Sequence, residues 1–186
     1  MALIECYECK GKVSSEAKAC PHCGLPINVK IKYHDNGQID ELVFLDDGNK
    51  LLNVTLWYEN GQKESETNFK DGDRVGLATA WFENGQKAVE TNSKDGKYHG
   101  PWTGWHENGQ KREEGFYKDG KLEGIWVSWQ FNGQKIQEAF WKDGKQDGLE
   151  THWWPNYTEG ESGERKKRME TLWKDGKKVS EKVFDY

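Results

Sequence analysis

The 186-residue sequence predicts an all-β fold: an elongated single-layer antiparallel β-meander of hairpin repeats, preceded by a small cysteine-bearing module. Three observations carry this reading. An aromatic residue recurs at Tyr33, Trp57, Trp81, Trp105, Trp129 and Trp153, five successive intervals of 24 residues. Asn-Gly follows at 36–37, 60–61, 84–85, 108–109 and 132–133, and Asp-Gly at 47–48, 71–72, 95–96, 119–120, 143–144 and 175–176. All four cysteines fall within the first 23 residues.

The stretch 105-WHENGQKREEGFYKDGK-121 shows the repeat unit. Both dipeptides suit type I′ hairpin turns, because Asn, Asp and Gly tolerate the positive φ those turns require. Between them lie alternately nine and eleven residues, enough for one strand and too few for a crossover, so neighbouring strands are antiparallel. A two-residue Asn-Gly turn would pair Trp81 with Ala88 and Thr79 with Glu90. A further glycine recurs at Gly76, Gly100, Gly124 and Gly148, where a strand glycine marks a bulge, a bend or a close backbone approach.

Helical periodicity and a second set of apolar strands are both missing, so the tryptophans must pack against repeat neighbours within one layer. Residues 27–33 alternate as an opening strand, and 178–186 lack the Trp and the following turn, as a closing strand would. The sixth unit is eight residues longer than the second from its Trp to its Lys-Asp-Gly, and 155–168 reads as a protruding loop. Two domains result: 1–26, and the repeat array over 27–186.

Hydrophobic residues make up 34% and charged residues 32%, with ten tryptophans, which suits a structure with much surface per residue. The net charge is −5, divided as +2 over residues 1–32 and −7 over 33–186. The acidic body argues against nucleic acid and anionic lipid as main partners and favours a basic protein surface. No apolar stretch approaches the roughly 20 residues of a membrane helix, and the opening residues do not resemble a secretory signal, so a cytoplasmic location is expected.

Cys6, Cys9, Cys20 and Cys23 form a C-x2-C-x10-C-x2-C pattern, with Gly24 after the second pair. Four thiolates on two knuckles make the tetrahedral sulfur cage that suits one structural zinc ion, so residues 1–26 read as a short zinc ribbon. With every position filled by sulfur the metal has no open site for catalysis, and His22 is not needed as a ligand. So short a module cannot bury a stable core alone; the metal supplies the missing free energy.

The W-[YFH]-E-N-G-Q-K…K-D-G-K…G pattern closely resembles the bacterial MORN-repeat variant, over about residues 27–186. Proteins of this kind are often classed as YwqK-type antitoxins, so the resemblance implies a hairpin-per-repeat fold and an immunity protein that neutralises a cognate toxin by direct binding. The degenerate sixth unit and the N-terminal module depart from the family pattern.

No paired base and nucleophile, calcium loop or phosphate-cradling glycine motif is present, so no enzyme and no small-molecule substrate are expected. His99, His106 and His152 read as solvent-facing strand histidines. The candidate partner face groups Trp57, Thr55 and Glu66; Trp81, Thr79 and Glu90; Trp105, Thr103 and Glu114; and Trp129, Val127 and Glu138. Two readings stay open for it. Either Trp packs the sheet while Glu pairs with Lys or Arg, or Trp anchors and Glu steers a basic protein partner such as a toxin encoded nearby. The run 165-RKKR-168 reads as solvated charge in preference to a recognition patch. A structural or membrane-associated scaffold is the alternative function, and nucleic-acid binding through the zinc ribbon a weaker one, since a Zn(Cys)4 charge of −2 cancels that module's positive excess.

Overall fold

The computed structural model describes residues 3–6, 9–14, 17, 19–22, 24, 28–46, 48–154 and 166–185. Among the described residues there are seventeen strands and no helix. Leu3–Glu5 and Lys12–Ser14 pair antiparallel in a small separate sheet. The other fifteen strands form one open antiparallel sheet, running in chain order from Asn28–Tyr33 at one edge to Lys177–Val183 at the other. Two of them, Asp73–Arg74 and Lys121–Leu122, are two-residue extensions beside Lys63–Lys70 and Lys111–Lys118.

The two turn dipeptides make different turns. At Asp71-Gly72, Asp95-Gly96, Asp119-Gly120, Asp143-Gly144 and Asp175-Gly176 both residues have positive φ, which is the type I′ geometry expected of them. At the Asn-Gly sites only the glycine does, for example Gly85 at 81°, so the expected two-residue turn is corrected here. Phe82 N–H donates to the Gln86 carbonyl and Gly85 N–H to the Phe82 carbonyl, both at 2.8 Å, closing a three-residue Glu-Asn-Gly loop. This is a type I turn followed by a left-handed residue that forms a bulge. The Asp47-Gly48 site follows the same plan, with Asn49 as the left-handed residue at φ 61°; Asp47 itself lies outside the described residues.

The extra loop residue shifts the register next to each turn. Thr79 faces Glu90 as expected, but Trp81 faces Lys87 and not Ala88, with the shift falling between Ala80 and Trp81. The same shift occurs at Leu56/Trp57, Gly104/Trp105, Ser128/Trp129 and His152/Trp153. Because directly opposed residues share a face, one row runs across the sheet through Leu42, Thr55, Glu66, Thr79 and Glu90, and on to Glu170. That row and the Trp-bearing row beside it define the first face.

The recurring strand glycines all have positive φ: Gly76 at 69°, Gly100 at 116°, Gly124 at 79° and Gly148 at 138°. They interrupt or bulge the ladder as the sequence leads one to expect. Large rings of the second face sit opposite three of them, in the pairs Gly100–Tyr117, Gly124–Trp141 and Gly148–Trp173. Trp102 and Trp126 stack on the same face, and Tyr117 meets Trp126 edge-on at 5.9 Å between centroids.

Both edge strands carry lysines, Lys30 and Lys32 at one end and Lys177, Lys178 and Lys182 at the other, and the last strand is exposed throughout. Lysine on an open edge discourages pairing with further strands. The opening and closing strands are thus present as Asn28–Tyr33 and Lys177–Val183. Most of the interruption in the sixth unit, residues 155–165, lies outside the described residues; Lys167 and Arg168 already belong to the strand Lys167–Lys174.

Candidate functional site

On the first face four successive repeats present the same charged set. Lys63, Lys87, Lys111 and Lys135 stand directly opposite Trp57, Trp81, Trp105 and Trp129. The bulge brings each lysine round to the glutamate three residues on: Lys63 to Glu66 at 2.7 Å, Lys87 to Glu90, Lys111 to Glu114 at 2.9 Å and Lys135 to Glu138 at 2.7 Å. The same ammonium groups lie over the indole of the following repeat, 5.6, 5.8, 6.0 and 5.5 Å from the ring centroids of Trp81, Trp105, Trp129 and Trp153. One row therefore alternates Trp with Lys and the next alternates Thr or Val with Glu.

The structure brings Trp57, Trp81, Trp105 and Trp129 onto one face with Glu66, Glu90, Glu114 and Glu138. It also balances each carboxylate with a lysine that the sequence grouping omits. Exposed pairs of this kind contribute about 0.2–1 kcal/mol each, and a cation over an indole about 0.5–1 kcal/mol more at exposed sites. Their chief consequence is electrostatic: the face is dense in charge while each repeat of it is nearly neutral.

Beside the glutamate row, farther from the Glu-Asn-Gly loops, a third row on the same face is apolar. Phe116, Ile125, Phe140, Leu149 and Leu172 occupy five consecutive strands and are each between 42% and 53% exposed. Ile125 pairs directly with Phe140 and Leu149 with Leu172. Ile125, Phe140, Gly148 and Leu149 line an open groove that Glu138 and Asp147 flank. Reading Trp and Glu as the marks of the face missed this row. Its sequence signal is an apolar residue two positions from each glutamate or Thr/Val, visible only once the register is known.

The turn ends are tied into a ladder of their own. The amides of Asn36, Asn60, Asn84 and Asn108 donate to the carbonyls of Glu59, Glu83, Glu107 and Phe131, one repeat on. His106 belongs to this ladder: its Nε2 lies 3.0 Å from the Trp129 carbonyl, as His34 Nε2 lies 2.8 Å from that of Trp57 and the Tyr58 hydroxyl 2.8 Å from that of Trp81. It is not a solvent-facing strand histidine. His152 is likewise a network member, with Nε2 3.1 Å from Glu150. His99 is a half-exposed strand residue paired with Asp119 at 3.1 Å.

Glu150 occupies the repeat position of Trp102 and Trp126 on the second face, and it is buried. Gln137 Nε2 and Trp173 Nε1 each donate to it at 2.7 Å. A carboxylate where the period calls for an indole was the available signal. Its partners satisfy it within the sheet.

In the N-terminal module Cys6, Cys9 and Cys20 place their sulfur atoms within 4.8 Å of one another, and Cys6 and Cys20 are buried. Cys23 lies outside the described residues. Cys6 and Cys20 each open a turn of one design: Lys10 N–H donates to the Cys6 carbonyl and Gly24 N–H to that of Cys20, both at 2.8 Å. Lys10 and Gly24 hold the left-handed conformation, at 59° and 73°. The His22 backbone N–H also points at Cys20 Sγ, 3.4 Å away, a donor that suits a thiolate. Zn–S bonds of about 2.3 Å at tetrahedral angles separate sulfurs by about 3.8 Å. The described sulfurs lie within 4.8 Å of one another, with Cys9 and Cys20 3.5 Å apart, so these residues could hold a metal ion. The His22 ring packs over Gly11 instead. Cys6, Val13 and Cys20 form a small core that also rests on Val29 and Ile31 of the first array strand.

Among the described residues no helix is long and apolar enough to cross a membrane. A comparison with curated proteins finds no match. Residues 52–71 and 98–119 match the family described as MORN repeat variant, and each matched stretch is one hairpin built round a Glu-Asn-Gly loop, so the repeats of this chain are similar to MORN repeats.

Proposed function

We propose that the chain is a non-enzymatic binding protein whose first face takes up a partner protein, and that this partner is a basic toxin encoded nearby, which binding neutralises. The observation that carries the binding reading is the row from Phe116 to Leu172. Five neighbouring strands present large apolar side chains to solvent on the face that also bears the tryptophans, and contiguous apolar surface of this kind marks an interaction site. The charge of −7 over residues 33–186 supports a basic partner, steering its approach from a distance even though the repeats are locally paired. The toxin reading rests on the repeat similarity and on that charge. One structural zinc ion held by Cys6, Cys9, Cys20 and Cys23 completes the proposal.

Co-expression with the product of the neighbouring gene tests it. The reading expects the two proteins to co-purify and the chain to restore growth that the partner alone arrests. Co-purification without growth rescue removes the toxin and keeps the binding protein; neither result removes both.

A further inference from the structure

The groove over Ile125, Phe140 and Leu149 has dimensions that select the shape of what lies in it. Adjacent strands are about 4.8 Å apart, so a row crossing three strands runs about 10 Å from first to last. An α-helix rises about 1.5 Å per residue, so side chains at i, i+3 or i+4, and i+7 on one stripe span about 10.5 Å. One apolar helix residue per strand therefore keeps step over these three strands. The sheet turns by about 20–25° per strand, which limits a straight helix to this stretch and leaves Phe116 and Leu172 at its ends. An extended segment fits less well, since its same-face residues recur about every 6.6 Å.

The sides of the groove give the charge of the occupant. Glu138 borders it on the loop side and Asp147 on the other. Their present partners are Lys135 and Lys174, whose ammonium groups are 2.7 and 3.0 Å away. Lys135 has a second place to lie, over the indole of Trp153, and the Lys174 side chain is 65% exposed. Both lysines can yield to an incoming cation without leaving the carboxylates unpaired.

We propose that this groove binds an amphipathic α-helix of a partner protein, laid across the strands, with apolar residues at i, i+3 or i+4, and i+7 and Lys or Arg on both flanks. This inference rests on the binding reading above and names the element of the partner that the face receives. A helix satisfies its own backbone hydrogen bonds, so recognition is through side chains.

The test uses the full chain and a fluorescent peptide of about 18 residues with Leu at those positions and Lys or Arg on the flanks. Fluorescence anisotropy should show binding, and the combined Ile125→Thr and Leu149→Thr variant should bind about tenfold more weakly or worse. Glu138→Gln with Asp147→Asn should also weaken it and flatten its salt dependence. Threonine keeps strand propensity, and circular dichroism checks the fold; if the double variant unfolds, the two single variants are measured instead. The inference is overturned if the peptide does not bind, or binds every variant equally. It is also overturned if a peptide of the same composition in alternating order binds as well, or if vesicles of phosphatidylserine and phosphatidylcholine capture the chain through these residues. Should the neighbouring gene's product bind wild type and the threonine variants alike, the helix site is lost while the binding reading stands; should nothing of that product bind, the broader reading is lost.

Discussion

Trp102 and Trp126 stack with ring centroids 5.0 Å apart across the strand that carries Gly115. A Cβ on Gly115 would lie inside the Trp126 indole, and one on Gly104 would press on Trp102 at 2.7 Å. In a single-layer sheet these rings are a large share of the packing, so the missing methyl is what lets an indole lie flat on the backbone. Gly115→Ala is expected to destabilise the array by about 1–3 kcal/mol, the usual cost of overpacking. Chemical denaturation checks this; an unchanged midpoint would place the indole elsewhere.

The Glu-Asn-Gly loops make a second, graded prediction. Gly109 and Gly133 have φ of 81° and 79°, and each meets the Gln side chain of the preceding repeat. Gly109→Val should cost about 1–2 kcal/mol or more, because a β-branched residue resists the left-handed conformation. Gly109→Asn should cost less, since Asn49 already fills the equivalent left-handed place in the loop between Asp46 and Lys50. Equal denaturation midpoints for the Val and Asn variants would contradict this assignment.

These loops also show what the sequence could and could not disclose. Strand order and pairing were legible because turns every nine to eleven residues leave no alternative to an antiparallel meander. Thr79–Glu90 was legible for the same reason. Trp81–Lys87 was not: Asn-Gly is compatible both with a two-residue turn and with a three-residue loop, and the choice moves a neighbour by one position. That one residue decides that Lys87, and not Ala88, faces Trp81, and so that the glutamate row is charge-balanced. The closeness of Cys6, Cys9 and Cys20 was visible from spacing alone. The apolar row from Phe116 to Leu172 was not, because its members lie on different strands and share a face only through the register.

Metal removal gives a third prediction. Purified protein is expected to contain one equivalent of zinc, lost to a strong chelator or on acidification, when the thiolates regain protons. Loss should open the small core of Cys6, Val13 and Cys20 and expose Val29 and Ile31, yet leave the strand circular dichroism of the array nearly unchanged, since distant repeats touch only their neighbours. Metal analysis finding no zinc in protein purified without chelator would contradict it.

A fourth prediction concerns alkaline pH. Burial pushes the Tyr58 phenol above its ordinary value of 10.0, with Glu64 and Glu83 adding to the effect. Tyr117 shifts the same way, again through burial first. A raised acid group favours the protonated fold, so this stability is present below pH 10.0 and is lost as pH rises through the folded values. Tyr58→Phe should lose part of the alkaline decline in stability, along with the hydrogen bond to the Trp81 carbonyl. Ultraviolet titration showing both tyrosines ionising at or below the ordinary value would contradict the burial argument.

The central claim is that the first face of the array receives a protein, and the affinity of the intact chain for the neighbouring gene's product tests it most directly. Titration calorimetry should give a complex that Phe140→Ser and Trp105→Ala weaken, that weakens for wild type as salt rises, and that Glu181→Gln at the closing edge leaves alone. A complex indifferent to Phe140, Trp105 and salt, or none at all, would contradict the account.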